Sequence, residues 1–73
     1  MSMIELRVEF AEHMAESRIA SLVTGIAAFG SVTPTGVPRT YSVAISRTSK
    51  LSQLEEQLVK WERHGFIRWQ AAA

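Results

Sequence analysis

Residues 3–10, MIELRVEF, alternate without a break. Ile4, Leu6, Val8 and Phe10 fall on one side, and Met3, Glu5, Arg7 and Glu9 on the other, which is the period of a half-buried strand. The period then changes. From residue 11 to residue 30, Ala15, Ile19, Leu22, Val23 and Ile26 recur at helical spacing. Gly30 stands where a left-handed residue would stop that helix, and Gly25 inside it weakens it by about 1 kcal/mol relative to Ala. Two extended runs follow around Thr35, Gly36, Val37 and Pro38, and the later run sets Tyr41, Val43 and Ile45 against Ser42, Ala44 and Ser46. This reads as a hairpin. Pro34 has no N–H to give to a ladder, so the first arm, residues 31–35, belongs at a sheet edge. Leu51, Leu54, Leu58 and Trp61 then form the apolar stripe of a second helix. Ser52 and Glu55 match the S-x-x-E capping box at its start, and Gly65 marks its end. A short closing strand spans residues 66–70.

The element order β-α-β-β-α-β is that of the split βαβ arrangement. It predicts an α+β domain of the ferredoxin-like kind, with two helices on one face of a four-stranded antiparallel sheet. In that topology the strands lie 4-1-3-2 in space, which puts the second strand at an edge, where Pro34 independently belongs. Residues 1–70 form this single domain, and residues 71–73, three alanines, read as a frayed tail.

Composition narrows the function. The chain has 73 residues, of which 47% are hydrophobic, near the lower size at which one core suffices. It has no cysteine, which removes disulfides, thiolate metal sites and cysteine nucleophiles. Net charge is +1, modest for a dedicated nucleic-acid or membrane binder. Its distribution is uneven, with four Glu and two Arg in residues 1–36 and six Lys or Arg and three Glu in residues 37–73. No apolar run approaches the ~20 residues of a membrane span, and the N-terminus lacks the basic-then-apolar order of a signal peptide. A cytoplasmic location follows, with no membrane contact from this segment.

The inventory of reactive groups argues against catalysis. There is no Asp and no Asn, so any carboxylate chemistry rests on Glu. Glu5 and Glu9 share a strand face about 13 Å apart, too far to act on one bond, while Glu12 and Glu16 read as neighbours on the first helical turn, beside its positive end. No serine sits in a G-x-S-x-G elbow, and neither His13 nor His64 has an Asp to orient it. Gly25, Gly30, Gly36 and Gly65 are too scattered for a phosphate-binding loop. His13 with nearby Met1, Met3 and Met14 offers donors for a soft metal ion, but the spacing matches no ligand pattern. The simpler expectation is Met14 packed under the helix and His13 exposed. No catalytic residue, metal or cofactor is assigned.

RNA-recognition domains share this topology and stack bases on aromatic rings on the open sheet face. With Ile4, Leu6, Val8 and Phe10 turned to the helices, that face shows Glu5, Arg7, Glu9, Ser42, Ala44 and Ser46, with no ring to stack on. The element order and length resemble those of ACT-like regulatory domains, which associate through sheets or helices. The ending Ile67-Arg68-Trp69 resembles the apolar-x-Trp close of the cytoplasmic C-terminal domain of the MgtC family. Amino-acid-binding ACT domains carry a glycine in the first strand-to-helix loop, whereas Ala11, Glu12, His13 and Met14 hold none. What remains, a small polar-faced sheet with an edge strand, reads as a non-catalytic interaction or regulatory module that forms a homodimer or docks on a protein partner. One alternative is a nucleic-acid-binding regulator that uses the basic second half. Another is a small-molecule or metal sensor near His13.

The stretch KWERHGFIRW, residues 60–69, gathers the conspicuous side chains. Gly65 at the helix end, with Lys60, Arg63 and His64 against its negative pole, accounts for most of them. Ile67 and Trp69 then point inward. The candidate contact residues are Arg68 and Gln70, which point outward, together with Arg47, Arg63 and Lys60.

Overall fold

The computed structural model describes residues 3–46 and 48–71. Its elements run β1 (Ile4–Phe10), α1 (Glu16–Ala27), β2 (Ser31–Pro34), β3 (Thr40–Ile45), α2 (Thr48–Arg63) and β4 (Ile67–Ala71). The four strands form one antiparallel sheet in the order β2-β3-β1-β4. The fold is the ferredoxin-like α+β arrangement. Alternation along β1 fixes which face is covered: Leu6, Val8 and Phe10 are buried, while Glu5, Arg7 and Glu9 are exposed. Leu6, Val8 and Phe10 join Val43, Ile45 and Ile67 from the sheet and Ile19, Ile26, Leu54 and Leu58 from the helices in one core. Met14 closes that core from the β1–α1 connection. The Phe10 and Tyr41 rings meet edge to face at 5.7 Å, a favoured aromatic geometry.

Several local expectations are corrected. Glu12 precedes α1 rather than sharing its first turn with Glu16, and Ala15 is its exposed N-cap residue rather than a core contact. α1 does not end on a left-handed glycine. Its last turn tightens, with the Ala28 N–H donating to the Gly25 carbonyl and the Phe29 N–H donating to the Ile26 carbonyl. Gly30 is outside the positive-φ region and is small for another reason. A Cβ there would run into the Ala44 carbonyl oxygen of β3 and lie 3.1 Å from Ile45 Cγ1. α2 begins at Thr48, so Ser52 and Glu55 lie within the helix and form no capping box. The helix starts one turn earlier than expected, and Leu51, the first member of the expected stripe, packs on the core.

At the other end of α2 the expected geometry is present in full. The Phe66 N–H donates to the Trp61 carbonyl at 3.0 Å, the Gly65 N–H donates to the Glu62 carbonyl at 3.0 Å, and Gly65 has φ 75°. These bonds are the Schellman motif. Phe66 is consumed by that turn, so the closing strand starts at Ile67. Ala71 pairs with Leu6, which places it in the sheet rather than in a tail, and residues 72–73 lie outside the described residues.

Candidate functional site

Helices cover one face of the sheet: α1 packs on β2, and α2 packs on β3 and β4. The opposite face is open and polar. Across it Glu9 stands opposite Arg68, and Arg7 stands opposite Gln70 on β4 and Ser42 on β3. The Ser42 hydroxyl donates to Glu5 Oε1 at 2.8 Å, tying the two central strands together across the surface.

Charge at one end of the sheet is organised by Arg39. This residue has φ 62°, a conformation uncommon for a side chain other than Gly. Its Nη1 donates to the Ala11 carbonyl at 2.9 Å and to the Met14 carbonyl at 3.0 Å, clamping the β1–α1 connection to the hairpin loop. Thr35 shapes that loop, since its hydroxyl donates to the Thr40 carbonyl and accepts from the Val37 N–H. Beside the clamp lies an open cleft of about 830 Å³ lined by Glu9, Glu12, Glu62, Arg39 and Arg68, with His13 beside them. A second cleft of about 470 Å³ lies under the loop, against Arg7, Glu9, Thr40, Arg68 and Gln70. Sequence pattern singled out Arg68 and Gln70 and offered Arg39 only as an extension of the basic surface; its clamping role arises when residues 11–14 and 35–39 meet in space.

The sheet's two edges differ chemically. Backbone bonds that continue the ladders set their phase: the Phe10 N–H donates to the Arg39 carbonyl, the Ala11 N–H to the Phe66 carbonyl and the Thr35 N–H to the Thr40 carbonyl. In an antiparallel ladder hydrogen-bonded and non-hydrogen-bonded pairs alternate. Arg68 and Gln70 of β4 therefore bond to β1, and the N–H and C=O groups of Ile67, Trp69 and Ala71 face outward from the sheet. On β2 the outward residues are Val32 and Pro34. Proline thus costs β2 no ladder bond and leaves Val32 as the one outward donor of that strand. The β4 edge keeps all three of its donors.

Comparison with protein-family models, curated proteins and solved structures finds no match. The site is therefore judged on its own geometry. Arg68 and Gln70 are exposed on the open face, as expected. Lys60 and Arg63 lie in the last turn of α2, in the helix layer, so these four candidates are divided between the two sides of the sheet. Arg47 lies outside the described residues. Among the described residues no group of three His, Cys, Asp or Glu is placed to hold a metal. His13 is exposed at the cleft and Met14 is buried away from it. Among the described residues no helix is long and apolar enough to cross a membrane.

Around the α2 terminus, Phe66 is engaged by two neighbours. Phe66 stacks on His64 at 5.4 Å, and the Arg18 guanidinium lies 5.7 Å from the Phe66 ring centre, within cation–π range. Trp69 is half-buried on the helix side of β4, and its indole Nε1 is buried without a hydrogen-bond partner.

Proposed function

We propose that this domain is a non-catalytic interaction module that takes up a partner by strand addition along β4, as a self-associating or docking unit of a larger protein assembly. The observation that carries the reading is the difference between the two edges. Pro34 blunts β2, whereas the ladder phase turns the backbone groups of Ile67, Trp69 and Ala71 on β4 away from β1. An open edge of this kind is either protected or used, and no proline or bulge interrupts β4. In strand addition the main chain supplies affinity and alternate side chains supply selectivity. Here those side chains are Arg68 and Gln70 on the open face and Trp69 on the covered one. The element order shared with ACT-like domains supports a regulatory setting for such pairing at the level of fold. A nucleic-acid track has weaker support, because Lys60 and Arg63 are separated from Arg68 by the sheet and Glu5 and Glu9 occupy the middle of the open face.

A photo-crosslinking amino acid at Gln70 in the chain expressed in cells tests this reading. One discrete adduct is expected, and it should disappear when Ala71→Pro removes an outward donor while sparing the bonds to β1. No adduct, or one indifferent to Ala71→Pro, would refute strand addition. The adduct's mass identifies the partner class, since a second copy adds 8.1 kDa.

A further inference from the structure

We infer that the strand taken up along β4 is the β4 of a second copy of this chain, paired antiparallel about a two-fold axis through Trp69. The inference rests on the strand-addition reading and names its partner. The outward groups of β4 belong to Ile67, Trp69 and Ala71, a set that is symmetric about its middle member. An inverted copy therefore meets it in register, with Ile67 facing Ala71, Trp69 facing Trp69 and Ala71 facing Ile67. Each facing pair exchanges two backbone hydrogen bonds. This self-matching is what an isologous two-fold contact requires.

Side chains choose between the registers that the backbone allows. With the axis through Trp69, Arg68 of each copy lies opposite Gln70 of the other, and the Gln amide oxygen is an acceptor for a guanidinium. Arg68 already has Glu9 opposite it within its own sheet, so it sits between an acid and an amide. Of the two neighbouring permitted registers, the one centred on Arg68 places two guanidinium groups directly opposite each other, which is destabilising, and the one centred on Gln70 carries Ile67 and Arg68 past the end of β4. Both shorten the overlap. On the helix side the chosen register brings the two half-buried Trp69 rings together as a cross-strand aromatic pair. The residue on the axis also carries a buried indole N–H that finds no acceptor among the described residues. The β2 edge has no equivalent solution, because Pro34 leaves each copy a single outward donor in that strand. Pairing through β4 merges two four-stranded sheets into one, and association is a common source of stability for a domain of this size.

Sedimentation equilibrium of the purified chain, from micromolar to millimolar concentration, tests the proposal. The native chain should dimerise, and Ala71→Pro should remain monomeric with an unchanged far-ultraviolet circular dichroism spectrum. Gln70→Glu should tighten the dimer about twofold to thirtyfold, because the symmetry creates two Arg–Glu cross-strand pairs, and Gln70→Arg should weaken it by a similar factor. In the register centred on Arg68, residue 70 faces Phe66, and both changes at 70 would leave the dissociation constant nearly unmoved. That result would overturn the register proposed. A native chain that stays monomeric throughout would overturn the second copy as partner. If the cellular adduct then has a different mass, strand addition stands with another chain; if there is no adduct, it falls as well.

Discussion

Gly30 and Gly25 make a matched pair of substitutions whose effects should have opposite signs. Gly30 needs no left-handed backbone, so an alanine there is conformationally acceptable and sterically not. Its Cβ would meet the Ala44 carbonyl oxygen and come within 3.1 Å of Ile45 Cγ1. The carbonyl belongs to a strand paired on both sides, and Ile45 is 1% exposed, so neither can move aside freely. Overpacking of this kind costs about 1–3 kcal/mol, and the reduced freedom of the unfolded chain returns about 0.4–1 kcal/mol. A net loss of about 1–2 kcal/mol is expected for Gly30→Ala. Gly25 lies within α1 with nothing within 4 Å of an added Cβ, so Gly25→Ala should gain about 0.5–1 kcal/mol. The two variants should differ by about 1.5–3 kcal/mol in urea denaturation. In a domain of this size that corresponds to roughly 10–20 °C in melting temperature. Gly30→Asn sharpens the test, because Asn suits a left-handed helix cap but not a crowded site, and it should destabilise more than Ala. If Gly30→Ala were as stable as the native chain, or Gly30→Asn more stable than Gly30→Ala, the close approach of residue 30 to β3 would be wrong.

Trp69→Phe removes a buried donor that has no partner and should leave stability unchanged or raise it by up to about 1 kcal/mol, since an unsatisfied buried polar group costs about 1–3 kcal/mol; chemical denaturation measures this. Arg39→Ala should lose about 1–3 kcal/mol by releasing the Ala11 and Met14 carbonyls from a charged donor. Arg39→Gly should lose about 1 kcal/mol less than Ala, because φ 62° suits glycine, and paired thermal melts would expose the reverse order. Gly65→Ala keeps open space around its Cβ but forces a side chain into φ 75°, so a loss of about 1–2 kcal/mol is expected from the same melts.

Where periodicity and turn chemistry act over a few residues, the fold was legible in the sequence. The alternation of Ile4, Leu6, Val8 and Phe10 named the covered face of β1. Gly65 named the Schellman turn, and Pro34 named the edge strand because its missing N–H excludes any inner position. What escaped depends on contacts between distant segments. Gly30 looked like a helix stop because a stop is the commonest local use of glycine there, whereas its real constraint comes from Ala44, fourteen residues later. Ser52 and Glu55 satisfied a local capping pattern, but the helix begins a turn earlier, at Thr48, and encloses both. Of the candidate site, Arg68 and Gln70 were legible from strand alternation alone. The Arg39 clamp and the two clefts were not, since they form only when the β1–α1 connection folds against the hairpin loop.

Residue-resolved amide hydrogen exchange along β4, followed as protein concentration is raised, tests the central claim most directly. In dilute solution the amides of Arg68 and Gln70, bonded to β1, should be protected while those of Ile67, Trp69 and Ala71 exchange freely. On concentration these three should gain protection together. Uniform protection along β4 at dilution would contradict the ladder phase, and outward amides that stay open at every concentration would contradict pairing of β4 with a second copy.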